Sequence, residues 1–198
     1  TQIKTYCIIG DPVQHSLSPA MQNAAFNSLR LNCVYIAFRV SKNELKESIC
    51  SLRSINISGF NVTMPHKIDI LEYVDELDLT AQKAYAVNTV HNVRGTLKAY
   101  NTDVYGFIQP LHRRKINFNG MTILLLGSGG AARAVIAALS EESNISNILI
   151  ASRNQKTSRC LVDIGEELGL HCDSINIDNV QNSAAKSDLI VNTIPYTT

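Results

Sequence analysis

Several clusters of glycines and polar residues close apolar runs in this chain, and their spacing restricts the chemistry open to them. The sharpest is Gly127-Ser128-Gly129-Gly130-Ala131-Ala132, which stops the apolar run 121–126 and is followed by Ala134, Val135, Ala137 and Leu139. That order predicts strand, tight turn and helix. Gly127 permits the turn, Gly129 lets backbone approach a pyrophosphate, and Ala132 stands where a helix packs closely on its strand. The N–H groups that open the helix then face an anion. A plain βα connection uses the same kind of turn, so this stretch alone leaves both readings open.

A second cluster narrows the choice. Ser152-Arg153-Asn154 closes the next strand, about 20 residues further on, where an NAD enzyme places an acid on the ribose. An arginine fork there complements a 2′-phosphate instead, which predicts NADP. A solvated arginine in a turn is the ordinary alternative.

The first half offers three more clusters. Residues 59–67 (GFNVTMPHK) end a strand and present Lys67, placed by the pattern at a helix start, where the dipole disfavours a cation and so favours proton exchange. Asn61-Val62-Thr63 also fits a glycosylation sequon, discounted for a chain expected in the cytoplasm. Asn101-Thr102-Asp103 and Ser16-Leu17-Ser18-Pro19 serve equally well as helix caps, with Ser18 as the N-cap and Pro19 at the first helical position. Most lysines are simply solvated, and each cluster taken singly has such an ordinary explanation.

The elements that must hold these residues follow from apolar periodicity. Strands are expected at 5–10, 33–40, 58–62, 87–93 and 97–100, with helices opening at Ser18, over 42–52, and from 67 to 83 with a break between Tyr73 and Asp78. After a helix over 103–111 and a polar bridge comes the strand with its glycine turn. A helix to about 139, a strand at 147–151, a helix at 157–168 and strands at 172–177 and 188–193 complete a βαβαβ unit with one more strand. The fold class is α/β, an N-terminal α/β domain over 1–103 followed by a Rossmann-type NADP-binding domain over 104–198. A doubly wound fold usually adds further strand and helix units, so the chain is expected to be truncated at its C-terminus.

Composition excludes several classes. Eighteen basic and seventeen acidic residues, without a block of either sign, give no electrostatic footprint for nucleic acid or an anionic membrane. The five cysteines lack CxxC spacing and nearby histidine pairs, which argues against a disulfide framework and a zinc site. No apolar run spans a bilayer, and the N-terminal residues do not read as a signal peptide. The expected partners are small molecules, with no nucleic acid and no membrane.

Taken together, the clusters resemble the shikimate dehydrogenases. Ser16-Leu17-Ser18-Pro19 with Asn23, residues 59–67, Ala86-Val87-Asn88-Thr89-Val90, Asn101-Thr102-Asp103 with Gly106, the glycine turn through Arg133, and residues 188–195 occur in that family's order and spacing. The NVTxPxK and AVNT segments are the specific ones; the glycine turn suits any Rossmann enzyme. The resemblance implies that the N-terminal α/β domain is the substrate domain, and it implies NADP-dependent reduction of 3-dehydroshikimate to shikimate, in aromatic amino-acid biosynthesis, without a metal. It implies that Ser16 and Ser18 bind the substrate carboxylate and that Asn61, Thr63, Asn88, Thr102 and Asp103 hold ring hydroxyls. Lys67 is the implied catalytic group: hydride arriving at a carbonyl carbon leaves an alkoxide that an ammonium stabilises and protonates, while Asp103 orients the lysine. On the cofactor side it implies Gly127, Ser128, Gly129, Gly130, Ala131, Ser152, Arg153, Asn154 and Thr193.

Some positions depart from the family pattern. Tyr85 stands where glycine is usual, Ser152 replaces Asn, Asn154 replaces Thr, and Thr157 stands where a second basic residue is common. Rival readings are a quinate/shikimate dehydrogenase of broader specificity and a truncated, non-catalytic binding module; a monomer or homodimer is expected in either case.

Overall fold

The computed structural model describes residues 3–195. They divide into two compact units, Thr1–Thr102 and Asp103–Thr198.

The first unit is built on a six-stranded mixed sheet. β1 (Lys4–Gly10), α1 (Ser18–Ser28), β2 (Cys33–Arg39), a short 3-10 turn (Lys42–Glu44), α2 (Leu45–Ser54) and β3 (Gly59–Val62) form successive parallel crossovers. After a 3-10 helix (Asp69–Tyr73) come β4 (Glu76–Leu77), α3 (Leu79–Ala84), β5 (Thr89–Val93) and β6 (Thr96–Tyr100), in sheet order β2-β1-β3-β5-β6-β4. The β5–β6 hairpin turns on Arg94 and Gly95, both at positive φ, the conformation a two-residue hairpin loop of primed type requires.

Alternation along β1 explains the two faces of this sheet. Cys7 and Ile9 join Leu45, Ile49, Phe60, Val62 and Val90 in the main core under α2, whereas Ile8 packs with Val13 and Tyr35, and Tyr6 with Phe26 of α1. Burial pushes the Cys7 thiol up to about 12, because a thiolate in apolar surroundings loses its hydration.

Two local expectations change. Leu17, not Ser18, is the N-cap of α1, and Ser18 lies within the helix. The Ser18 N–H donates instead to Ser16 Oγ at 3.3 Å, so the earlier serine supplies the capping-type contact. The helix expected to open at Lys67 is a run of turns followed by the five-residue 3-10 helix, and the gap before α3 holds the two-residue strand β4. The aligned peptide dipoles invoked at Lys67 need an α-helix, which is not formed there.

The second unit opens with α4 (Asp103–Arg113), followed by β7 (Thr122–Leu126), α5 (Gly130–Leu139), β8 (Asn147–Ser152), α6 (Gln155–Glu167) and β9 (Cys172–Asn176). A 3-10 turn (Ile177–Asn179), the short α7 (Val180–Ala184) and β10 (Leu189–Asn192) complete it. All four strands are parallel, in the order β10-β7-β8-β9. Ile123, Leu124 and Leu125 are fully buried, as expected of a central parallel strand covered on both faces. The strand order reverses between β7 and β10, the switch point at which doubly wound sheets bind ligands. No helix of the described residues is long and apolar enough to cross a membrane.

Candidate functional site

In the first unit the sequence-predicted residues converge on one edge of the sheet. Ser16 and Ser18 follow β1, Thr63 and Lys67 follow β3, and Thr102 follows β6. Asn88 precedes β5, which runs antiparallel, so it reaches the same edge. Ser16, Ser18 and Thr63 line one pocket of about 320 Å³ with Pro12, Val13 and His15.

Close backbone approach builds this pocket. Asp11 N–H donates to Met64 O at 2.9 Å and Thr63 N–H to Ile9 O at 2.9 Å. A Cβ on Gly10 would collide with Thr63 Cγ2, so glycine is required there. The Lys67 loop is fastened at both ends: the buried His66 donates Nε2–H to Val40 O at 2.7 Å, and Val87 N–H donates to Lys67 O at 2.7 Å.

Asn61, Asn88 and Thr102 form one hydrogen-bonded chain. Tyr35 Oη donates to Asn61 Oδ1 at 2.6 Å, and Asn61 Nδ2 donates to Thr89 Oγ1 at 3.0 Å and to Asn88 O at 3.2 Å. Thr89 Oγ1 donates to Asn88 Oδ1 at 2.9 Å, Asn88 Nδ2 donates to Thr102 Oγ1 at 2.9 Å, and Thr102 N–H donates to Asn88 Oδ1 at 2.9 Å. The Asn61 amide is thus engaged at both ends by its own chain, whereas the Thr102 side chain is exposed. Tyr35 and Thr89 escaped the sequence reading. A lone tyrosine in VYIAFRV reads as core, and Thr89 stands inside the AVNT motif without being singled out. Asn23, quoted for its motif, clamps Tyr35 through both backbone groups at 2.8 and 2.9 Å.

Neighbouring Asn101 is fully buried, with Nδ2 on Ala86 O at 2.9 Å, and so fixes the chain just before Thr102. Asp103 is the first residue of α4, in the second unit.

In the second unit the glycine turn joins β7 to α5. Gly127 has φ +105°, and a Cβ on it would lie 2.5 Å from Thr193 Oγ1; Gly129 has open space where its Cβ would be. Thr193 ties the end of β10 to the turn, both N–H and Oγ1 donating to Leu126 O at 2.8 and 2.7 Å. Ser128 Oγ lies 2.8 Å from Ser152 Oγ and 2.7 Å from Thr157 Oγ1, so three hydroxyls meet beside Arg153, which is exposed. Asn154 caps α6, its side chain accepting from the N–H groups of Lys156 and Thr157. Thr157 was noted in the sequence only as a departure, yet its hydroxyl belongs to this cluster. Gly130 and Ala131 form the first turn of α5. Open space at Gly129, a helix N-terminus behind it, and a hydroxyl cluster whose Ser152 precedes the exposed Arg153 fit a dinucleotide with a phosphate on its ribose. Among the described residues no group of three or more His, Cys, Asp or Glu side chains could hold a metal ion.

Comparison with known proteins finds one family model within each unit. Residues 8–90 match the family model of the shikimate dehydrogenase substrate binding domain, and residues 123–198 match that of the saccharopine dehydrogenase NADP binding domain. The shikimate dehydrogenase (NADP(+)) of Nitrosopumilus maritimus is 46% identical over 189 residues, an alignment covering 96% of this chain and 69% of that protein. The chain belongs to the shikimate dehydrogenase family. The enzyme of the same name from Caldanaerobacter subterraneus is 40% identical over 96% of this chain and 68% of its own length.

Solved structures of the family superpose closely. Shikimate dehydrogenase from Aquifex aeolicus gives a TM-score of 0.86 at 35% identity, covering 98% of this chain and 70% of that one. Shikimate 5-dehydrogenase from Thermus thermophilus, solved with NADP(H) and shikimate, gives 0.79 at 33% identity over 97% of this chain and 69% of that one. The second family model comes from a different dehydrogenase, as suits a nucleotide half whose glycine turn is shared widely, while the substrate half carries the family's own motifs.

Proposed function

We propose that this protein catalyses the reversible, NADP-dependent reduction of 3-dehydroshikimate to shikimate, with small molecules as its partners, in the cytoplasm, as a monomer or homodimer. The observation that carries the reading is the convergence of Ser16, Ser18, Thr63, Lys67, Asn88 and Thr102 on one sheet edge. In this reading Ser16 and Ser18 hold the substrate carboxylate by their hydroxyls, and Thr63, Asn88 and Thr102 bind ring hydroxyls. Asn61, whose amide is spent on Tyr35, Thr89 and Asn88, orders the others. Lys67 Nζ gives a proton to the oxygen that becomes the product hydroxyl, and takes it back in the oxidative direction. Asp103 accepts from a substrate hydroxyl and orients Lys67.

Gly127, Gly129, Gly130 and Ala131 would cradle the pyrophosphate of NADP, with Ser128, Ser152, Arg153, Asn154 and Thr157 at its 2′-phosphate and Thr193 closing the turn. Bound there, NADPH supplies the hydride. The test is turnover by the full-length protein, followed by NADPH absorbance, with shikimate and quinate and with NADP+ and NAD+. Shikimate with NADP+ is expected to be the best pair. Lys67→Ala should lower kcat by about 10²–10⁴-fold, the usual worth of a positioned acid–base group, and Arg153→Ala should narrow the preference for NADP+. No turnover by the full-length protein, or a Lys67→Ala variant as active as wild type, overturns the reading.

A further inference from the structure

The hydrogen-bonded chain from Tyr35 to Thr102 fixes the orientation of both amides, and its shortest bonds set the direction of the hydroxyl protons. At one end, Thr102 N–H can only donate, which turns Asn88 Oδ1 toward it and Asn88 Nδ2 toward Thr102 Oγ1. In the middle, the Asn88 carbonyl can only accept, which forces Asn61 to present Nδ2 there and to Thr89 Oγ1. Thr89 then gives its proton to Asn88 Oδ1, filling that oxygen's second lone pair. Asn61 Oδ1, facing away, needs a donor, and the phenol of Tyr35 supplies it at 2.6 Å.

One hydroxyl proton is left over. Thr102 Oγ1 accepts from Asn88 Nδ2, and the acceptors within reach of its own proton, Asn88 Oδ1 at 3.2 Å and Thr89 Oγ1 at 3.5 Å, each already hold two shorter bonds. We propose that Tyr35 is a positioning residue that closes this chain, holding the Asn61 and Asn88 amides in one orientation so that the exposed Thr102 hydroxyl is offered to the ligand as a donor. The ligand atom opposite Thr102 is then an acceptor, a hydroxyl or carbonyl oxygen. This rests on the substrate reading above and adds a residue and a polarity to it.

Two features keep Tyr35 in that role. Asn23 fixes its backbone from α1 through both N–H and C=O. Burial, reinforced by neighbouring Cys7, pushes the phenol above its ordinary range, so it remains a donor at any working pH.

The experiment uses the full-length protein with Tyr35→Phe, Thr102→Val and the double variant. Tyr35→Phe keeps the ring and removes only the donor. KM for shikimate is expected to rise about three- to tenfold in each single variant, the worth of one hydrogen bond, with KM for NADP+ unchanged. The double variant should be little worse than either single one, because both act through the same chain. The side-chain amide resonances of Asn61 and Asn88 should shift in Tyr35→Phe, which NMR reads whether or not the protein turns over shikimate. Unchanged Asn88 resonances, or fully additive KM effects in an active enzyme, would overturn the proposal; absent turnover with shifted resonances sinks the activity reading and leaves the proton order standing.

Discussion

Gly127 and Gly129 are two residues apart in the same turn, yet substituting each with alanine should produce opposite phenotypes. At Gly127, φ is +105°, beyond even the left-handed well, so an L-residue there costs at least the ~1–2 kcal/mol of a left-handed residue. The new methyl would also stand 2.5 Å from Thr193 Oγ1. Displacing that hydroxyl breaks its 2.7 Å bond to Leu126 O, worth about 1 kcal/mol. Gly127→Ala should therefore lose about 2–3 kcal/mol in a urea titration followed by circular dichroism. Gly129 has ordinary negative φ (−88°) and no atom within 4 Å of an added Cβ, so Gly129→Ala should unfold within about 0.5 kcal/mol of wild type. Its methyl would fill the space a pyrophosphate needs, and the Kd for NADP+ should rise at least about tenfold, or 1.4 kcal/mol. If Gly129→Ala binds NADP+ like wild type, or if Gly127→Ala is as stable as wild type, this division of labour between the two glycines is wrong.

Tyr85 is the left-handed C-cap of α3, at φ 45° and ψ 37°, so Tyr85→Gly should raise stability by about 0.5–1 kcal/mol after glycine's extra unfolded-state entropy is subtracted, read by thermal unfolding. Ellman's reagent at neutral pH should modify exposed Cys50 and Cys160 promptly but reach Cys7 and Cys172 only on unfolding, since burial pushes both buried thiols up to about 12. Their protons stay on in the folded chain and leave the unfolded one above the ordinary value of 9.0, so stability is retained below pH 9 and falls as pH rises from there, by up to about 1.4 kcal/mol per pH unit per thiol. Urea midpoints that do not change between pH 8 and 10 would contradict this.

The βαβ framework was readable because its signals are local. The apolar run at residues 121–126 forms a strand buried on both faces, and Gly127 stands where φ is positive, so sequence and structure agree there to within a residue. Elements held only by distant partners were not readable. β4 is two residues long and exists because Glu76 and Leu77 pair with Lys98 and Ala99. α7 follows a 3-10 turn and buries none of its residues, so it leaves no apolar period to read. In the candidate site, residue types were legible but their duties were not. Asn61 reads as a ligand contact, and the sequence does not show that Tyr35, 26 positions away, donates to its oxygen. Tyr85 reads only as a departure, because the left-handed angle that glycine would suit there is visible in the backbone alone.

The hydroxyls of Ser128, Ser152 and Thr157 form a hydrogen-bonded row that ends on Asn154 O, 3.0 Å from Thr157 Oγ1. An incoming phosphate would turn these O–H bonds outward and its departure would let them close again, while Asn154 O keeps the Ser158 N–H at 3.1 Å in either state. Such a row would let the site stand without ligand, as suits a cofactor that comes and goes with each cycle.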